Sequence, residues 1–114
     1  MAFLSVIVVA HNAAHTLDAT FESLQLAMGE ARSDIEIVIF NDGSDDSTQD
    51  IIERWLMKLP NAIAKNVNYR NVGQVRNSAV AMASGEYITM LDSDDLLKPN
   101  SLRDAITFLK AQRP

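Results

Sequence analysis

The sequence of 114 residues contains no cysteine. This absence excludes disulfides, thiolate metal sites and a cysteine nucleophile, so a bound metal would need oxygen or histidine ligands. A chain without cysteine fits a reducing compartment. We therefore expect a cytoplasmic protein, either free or bound at the periphery of a membrane.

Basic charge and long apolar runs are also missing. The formal net charge is −5, whereas a nucleic-acid-binding surface needs clustered Lys and Arg, so we expect no nucleic-acid partner. The apolar run at residues 4–10 is too short to span a bilayer and has no basic flank before it. This predicts neither a transmembrane segment nor a standard signal peptide. The hydrophobic content of 47% is sufficient for one compact domain.

Hydrophobic periodicity along the chain predicts alternating strands and helices. Gly29 and Gly85 are predicted helix stops, and Ser101 with Asp104 resembles a capping box at the start of the last helix. The predicted strands are residues 3–10, 35–40, 62–69 (an edge strand) and 87–92. Four helices are predicted. The first starts near residues 13–16, the second covers residues 51–59, the third covers residues 72–84, and the fourth begins at Pro99.

This alternation favours an α/β fold, a three-layer α/β/α sandwich with a mostly parallel sheet, because each crossover helix must cover a sheet face. In such folds ligands bind beyond the carboxyl ends of the strands. Polar clusters follow all four predicted strands, at residues 11–12, 41–47, 71–73 and 92–95. We therefore predict that one edge of the sheet carries the functional site.

The acidic cluster Asp92, Asp94 and Asp95 directly follows the last strand, which we interpret as buried and central. Hard oxygen ligands at a strand end suit a divalent cation such as Mg²⁺ or Mn²⁺. An isolated acidic cluster is more often a solvated loop that caps the following helix. The position at the end of a strand favours the metal site.

Three other polar residues at this edge have two interpretations each. Asp42 either offers acceptors to a nucleobase or ribose or forms an Asx turn beside Gly43. His11 has no second histidine nearby, so it is interpreted as part of a pocket wall. Arg76 either balances phosphate charge or is a solvated helix residue. Residues 45–48 are expected to begin the second helix and receive no chemical role.

Taken together, four ordered segments resemble the nucleotide-sugar-binding half of family-two glycosyltransferases. These are Ser5-Val-Ile-Val-Val-Ala-His-Asn12, Ile37-Val-Ile-Phe-Asn-Asp-Gly-Ser44, Asn71-Val-Gly-Gln-Val-Arg-Asn77 and Ala83-Ser-Gly-Glu-Tyr-Ile-Thr-Met-Leu-Asp-Ser-Asp-Asp95. The resemblance covers almost the whole chain. It implies a Rossmann-like GT-A fold, with residues 1–114 forming a single donor-binding domain.

The resemblance also implies roles for individual residues. Asp94 would bind the metal ion, Mg²⁺ or Mn²⁺, that bridges the diphosphate. Two departures from the family pattern are His11, where the family often has Tyr, and Asn41, where it commonly has Asp. The nucleotide-binding residues implied by the resemblance are Ala10, His11, Asn12, Asp42, Arg76, Asp92 and Ser93.

The reaction implied by the resemblance is transfer of a sugar, with inversion, from a nucleotide-diphosphate donor, UDP-sugar above all, to a saccharide or lipid-linked acceptor. Polysaccharide biosynthesis is the expected setting. The family's catalytic base lies in an acceptor-binding half that follows the donor half, so no catalytic residue is assigned here. We expect the chain to be truncated before that half.

Two alternatives stay open. The chain could be a catalytically silent module that keeps the fold and serves assembly, for example as a homo-oligomer through exposed apolar surface. It could also be a nucleotidyltransferase, which uses strand-end aspartates and a metal. That class normally carries a Gly-rich basic loop after the first strand, where this chain has His11-Asn-Ala-Ala14.

Overall fold

The computed structural model describes residues 2–113, which form alternating strands and helices. A short 3₁₀ helix, Gly29–Asp34, follows the first α-helix. Gly29 is the C-cap of that α-helix and has a positive φ of 51°, in agreement with the prediction that it ends the helix. The strands are β1 (Leu4–Ala10), β2 (Ile35–Asp42), β3 (Ala62–Val67) and β4 (Tyr87–Asp92), and the helices are α1 (Leu17–Met28), α2 (Thr48–Leu56), α3 (Val72–Met82) and α4 (Ser101–Ala111).

The four strands form one parallel sheet in the order β3-β2-β1-β4. The strand order reverses direction at β1. The loops after β1, β2 and β4 therefore lie side by side at the carboxyl edge of the sheet. Such a switch point is where α/β sheets bind ligands. The predicted parallel sheet, the central position of β1 and the edge position of β3 are all confirmed.

Side chains of β1 and β2 alternate between two hydrophobic cores. On one face, Val6 and Ile37 belong to the larger core with residues of α1, α2 and α4. On the other, Ile7 and Val38 pack against Val75 of α3. Helices therefore cover both faces, which confirms the three-layer α/β/α sandwich.

The prediction that the last strand is buried and central is wrong. Among residues 2–113, β4 forms an edge of the sheet, and of its apolar side chains only Leu91 is buried, whereas Tyr87, Ile88 and Met90 are 39%, 42% and 45% exposed. Helix α3 lies over β1 and β2, and its layer leaves Ile88 and Met90 open to solvent.

The prediction that Gly85 ends the third helix is also wrong. Helix α3 ends at Met82, and Ala83 is its C-cap. Gly85 is required for a different reason: a Cβ at this position would lie 2.6 Å from the backbone nitrogen of Ser5. The glycine therefore permits the close approach of two chain segments at the start of the sheet.

The start of α4 differs from the prediction. The helix begins at Ser101 rather than at Pro99, and Asn100 is the N-cap with a left-handed φ of 63°. The predicted capping box of Ser101 and Asp104 is wrong, because Asp104 instead forms an ion pair with Arg103 at 3.0 Å. Within residues 2–113, no helix has the length and apolar character needed to cross a membrane.

Candidate functional site

Two cavities open at the carboxyl edge of the sheet, beyond the ends of β1, β2 and β4. We name them the Asp42 cavity, of about 450 Å³, and the Asp94 cavity, of about 420 Å³. The two cavities share four of their lining residues, Val9, His11, Asn12 and Val72. The two cavities therefore form neighbouring compartments of one site.

Asp42, the last residue of β2, is 7% exposed and lines the first compartment. Its Oδ1 accepts hydrogen bonds from the backbone N–H groups of Tyr69 at 2.7 Å and Arg70 at 3.0 Å. The next residue, Gly43, has a φ of 65° that favours glycine. The loop after β3 therefore holds one carboxylate oxygen of Asp42, and the other oxygen, Oδ2, accepts no hydrogen bond from residues 2–113.

His11 lies between the two compartments. Its Nδ1 is 2.7 Å from the backbone carbonyl oxygen of Asp42. Because a carbonyl oxygen only accepts, Nδ1 must carry the proton, and in the neutral ring Nε2 is then an acceptor. The predicted wall position of His11 agrees with this arrangement.

Asn12 connects the loops after β1 and β2. It has a φ of 48°, its N–H donates to the Ser44 hydroxyl at 2.9 Å, and its side-chain oxygen accepts from the N–H of Asp45 at 2.9 Å. Ser44 in turn donates to Asn41. Asn12 thus lines both cavities while its polar side chain supports the backbone of the Asp42 loop.

The acidic cluster lines the second compartment through Asp92 and Asp94. One carboxylate oxygen from each of Asp92, Asp94 and Asp95 lies within 4.8 Å of the others, and all three residues are exposed. These three oxygen donors are of the kind that Mg²⁺ and Mn²⁺ prefer, and their spacing allows them to share one cation. The residues present therefore fit a hard divalent metal ion.

Ser93, which lies between Asp92 and Asp94, is held by helix α1. The hydroxyls of Thr16 and Thr20, one turn apart, both donate to the carbonyl oxygen of Ser93 at 2.9 Å. The Ser23 hydroxyl, in the same helix, accepts from the N–H of Leu97 at 3.1 Å. Helix α1 therefore fixes the backbone of the acidic loop.

Two basic side chains complete the second compartment. Arg76 projects from the second turn of α3 and lines the cavity, as its phosphate-balancing interpretation requires. His15 also lines it, so the premise that His11 has no second histidine nearby is wrong. The two histidines approach the same cavity because the chain turns sharply between β1 and α1.

The remaining candidates are Ser93 and Ala10, and only the first lines a cavity. Ser93 lines the Asp94 cavity. The side chain of Ala10 is fully buried in the larger core, and Ala10 lines neither cavity. Among residues 45–48, Asp46 accepts from the N–H of Thr48 at 2.9 Å at the start of α2, as expected. The hydrogen bond from the Thr48 hydroxyl is the main cause that lowers the pKa of Asp46.

Several contributors were given no role at the level of the sequence, although Asn71 belongs to a polar cluster predicted at this edge. Arg70 and Asn71 line the Asp42 cavity, and Asn71 also caps α3 by accepting from the N–H of Gln74 at 3.0 Å. Thr20 carried a detectable signal, because a hydroxyl on the apolar face of an amphipathic helix needs a partner when buried. Arg70 carried no comparable signal.

The sequence of residues 5–114 matches the family model described as glycosyl transferase family 2. A β-1,3-glucosyltransferase of Escherichia coli, WfaP, whose name specifies UDP-Glc and a GlcNAc-diphosphoundecaprenol, is 35% identical over 114 residues, which are 99% of this chain and 43% of that protein. The poly(ribitol-phosphate) β-N-acetylglucosaminyltransferase TarS of Staphylococcus aureus is 31% identical over 92% of this chain and 18% of its own length.

Solved structures of glycosyltransferases also resemble this chain. TarS residues 1–349 in complex with UDP superimpose with a TM-score of 0.86 and 31% identity, over 96% of this chain and 32% of that one. A mannosyltransferase of Pyrobaculum calidifontis, at 23% identity and a TM-score of 0.83, supports the fold alone. The chain spans less than half of the length of each of these relatives.

Proposed function

The chain belongs to glycosyltransferase family 2, and from this premise we propose that it binds a nucleoside-diphosphate sugar as the donor domain of a sugar transferase. The expected nucleotide is UDP. Two relatives support this choice: the name of WfaP specifies UDP-Glc, and TarS has been solved with UDP and with UDP-GlcNAc. The domain, residues 1–114, supplies the donor side of the reaction.

The observation that carries the proposal is the pairing of two chemically different compartments. The Asp42 cavity presents the Oδ2 oxygen of Asp42 beside Gly43, which suits the edge of a nucleobase. The Asp94 cavity brings together carboxylates and Arg76, which suits a diphosphate with its cation. A nucleoside diphosphate has these two parts in the same order.

The residues divide the work of donor binding. Asp42 accepts from the base, Asp92 and Ser93 lie toward the ribose, and Arg76 offsets phosphate charge. Asp94, with Asp92 and Asp95 beside it, would hold Mg²⁺ or Mn²⁺. When bound, the cation supplies charge neutralisation for the departing diphosphate.

Sugar transfer requires further groups. The proposed reaction is inverting displacement at the anomeric carbon by a hydroxyl of a saccharide or lipid-linked acceptor, with a general base removing the hydroxyl proton. No residue of this chain is assigned as the base. Inversion and the acceptor class derive from the family resemblance.

Isothermal titration calorimetry with UDP, UDP-GlcNAc, GDP and GDP-mannose, each with Mn²⁺ or with EDTA, tests the proposal. We expect a uridine nucleotide to bind with Mn²⁺ and to lose at least about tenfold in affinity in EDTA, because the diphosphate then faces the aspartates without a cation. Failure of all four ligands to bind, or binding that ignores the metal, would contradict the proposed donor site.

A second candidate function is an assembly module, and the exposed edge of the sheet favours it. The side chains of Ile88 and Met90 are 42% and 45% exposed on β4, whose outer edge is unpaired within residues 2–113. Sedimentation velocity over a hundredfold concentration range distinguishes this candidate. A monomer at every concentration would count against it.

A further inference from the structure

The two histidines of the chain, His11 and His15, both line the Asp94 cavity, where the proposed function places the diphosphate. We propose that His11 binds a phosphate oxygen of the donor through Nε2, and that this nitrogen takes up a proton from solvent when the donor binds. The inference rests on the proposed function and deepens it. It gives His11 a phosphate contact and makes donor affinity depend on pH.

The first step is the hydrogen bond that orients the His11 ring. Nδ1 lies 2.7 Å from the carbonyl oxygen of Asp42, which can only accept, so Nδ1 carries a proton in both charge states of the ring. Nε2 is therefore the nitrogen that changes. It is an acceptor in the neutral ring and a donor in the protonated ring. The contact with Asp42 is kept through this change.

The second step is the access of a ligand to Nε2. His11 is exposed, and among residues 2–113 its side chain makes one hydrogen bond, that of Nδ1. No carboxylate oxygen of these residues lies within 4.0 Å of either ring nitrogen. His11 lines both cavities, so a nucleoside diphosphate that occupies the two compartments passes this ring.

The third step is the set of charged groups around the ring. The Asp42 cavity presents two carboxylates and a guanidinium group, those of Asp42, Asp45 and Arg70. The Asp94 cavity presents two carboxylates, a guanidinium group and the second imidazole, those of Asp92, Asp94, Arg76 and His15. Carboxylates thus outnumber guanidinium groups, and a diphosphate in the Asp94 cavity finds few cationic donors.

A protonated His11 supplies such a donor. Phosphate oxygens only accept hydrogen bonds, so a neutral Nε2 would face them as one acceptor against another. Protonation turns Nε2 into a charged donor, and hydrogen bonds between charged partners are the stronger ones. The phosphate contact therefore requires the proton that the free ring does not need.

The linkage has a definite sign. A proton held more tightly in the complex than in the free chain strengthens binding as the pH falls through the range in which imidazoles titrate, from about pH 8 to pH 5. The alternative contact is a ribose hydroxyl that donates to the neutral Nε2. That contact would release a proton and weaken binding on acidification, so the direction of the pH dependence distinguishes the two contacts.

The test is calorimetric titration of the 114-residue chain with UDP-GlcNAc in saturating Mn²⁺, at about pH 8 and about pH 6, where ordinary carboxylates and guanidinium groups keep their charge. Two buffers with different enthalpies of ionisation reveal the protons taken up. UDP-GlcNAc is the probe because its diphosphate is esterified at both ends, whereas a terminal phosphate itself gains a proton near about pH 6.

Two variants separate the ring nitrogens. In His11→Asn the amide nitrogen lies near the position of Nδ1 and keeps a donor for the Asp42 carbonyl, and nothing replaces Nε2. In His11→Gln the amide nitrogen lies near the position of Nε2 and is a donor at every pH. His15→Asn, which removes the other imidazole, is the matched comparison. Urea denaturation checks that each variant folds.

We expect the unmodified chain to bind UDP-GlcNAc about threefold to tenfold more tightly at the lower pH, with uptake of a proton. The uptake should vanish in His11→Asn and in His11→Gln, and it should persist in His15→Asn. Proton release, a pH-independent affinity of the unmodified chain, or an uptake that survives both His11 variants would overturn the inference. Failure of the unmodified chain to bind UDP-GlcNAc at either pH would instead contradict the proposed function.

Discussion

The hydroxyl of Thr20, in the first turn of helix α1, donates a hydrogen bond to the backbone carbonyl oxygen of Ser93 at 2.9 Å. This bond joins residues 73 positions apart in the sequence. Ser93 lies between Asp92 and Asp94, two of the three aspartates of the candidate metal site. A buried helix residue therefore controls where the acidic loop presents its carboxylates.

Replacing Thr20 with valine keeps the shape of the side chain and removes its hydroxyl. We expect the variant to lose about 1 kcal/mol of unfolding free energy and to bind Mn²⁺ several-fold more weakly, because the Ser93 carbonyl loses one of its two donors. Chemical denaturation and electron paramagnetic resonance of free Mn²⁺ measure the two effects.

The control for this variant is Thr107→Val, which removes a hydroxyl whose one hydrogen bond among residues 2–113 is to the Arg103 carbonyl within α4. We expect Thr107→Val to leave Mn²⁺ binding unchanged. If Thr20→Val lowered stability and left Mn²⁺ affinity unaltered, the positioning role of Thr20 would be wrong.

Replacing Asp94 with asparagine tests the proposed metal ligand. We expect Mn²⁺ binding to fall by more than about tenfold, because the donor set loses a charged oxygen. Stability should change by less than about 0.5 kcal/mol, since Asp94 is exposed and contributes to neither core. Asp50→Asn, at an exposed position on α2, is the charge-matched control. Equal metal affinity in both variants would rule out Asp94.

The secondary structure was predictable because burial imposes a local pattern. β1 is buried on both faces, so Phe3 to Ala10 is apolar almost without interruption, and this run identified the strand. The edge position of β4 was not predictable in the same way. The sequence Tyr87 to Leu91 is equally apolar, and whether a strand lies at an edge depends on long-range pairing and not on its own residues.

The site was predictable in its position but not in its supporting contacts. The carboxylates at strand ends follow from the rule that ligands bind at the carboxyl edge of a parallel sheet. Contacts such as Thr20 with Ser93 or Arg70 with Asn68 depend on loop conformations. Arg70 itself adopts a left-handed backbone, which no propensity of arginine favours.

Replacing Gly85 with alanine tests the close approach of two segments at the start of the sheet. The new Cβ would lie 2.6 Å from the Ser5 nitrogen and 2.7 Å from its hydroxyl, so the backbone must move. We expect a loss of about 2 kcal/mol in the free energy of unfolding, measured by urea denaturation. Gly73→Ala is the control, because its Cβ would have only a contact of 3.4 Å with the Asn71 side chain, and alanine favours the helix. Similar stabilities would contradict the steric argument.

Glu36 makes stability depend on pH. Burial raises its pKa, but hydrogen bonds from the Ser5 hydroxyl at 2.6 Å and the Ser84 N–H at 2.8 Å outweigh this and lower the pKa below its ordinary value of 4.5. Because the folded pKa is lower than the unfolded one, the stabilisation is present above pH 4.5 and is lost as the pH falls through the folded pKa.

Urea denaturation of the native chain and its Glu36→Gln variant between pH 7 and about pH 3 measures this contribution. We expect the stability difference between the two proteins to be largest at neutral pH and to shrink on acidification. A difference that stayed constant over this range would show that ionisation of Glu36 does not stabilise the fold.

Replacing Asp42 with asparagine tests how the Asp42 cavity reads a base. If the amide oxygen keeps the bonds from Tyr69 and Arg70, the amide NH₂ takes the place of Oδ2, and an acceptor facing the ligand becomes a donor. The N–H of uracil then loses its acceptor, whereas the ring nitrogen of cytosine gains a donor. We expect the preference for UDP over CDP, measured by calorimetry in Mn²⁺, to fall by more than about tenfold, mainly through weaker UDP binding.

Gln49→Glu, on α2 outside both cavities, changes one amide to a carboxylate and should leave the preference intact. A preference that survived Asp42→Asn would mean that Oδ2 does not contact the base, because a donor cannot replace an acceptor at that atom.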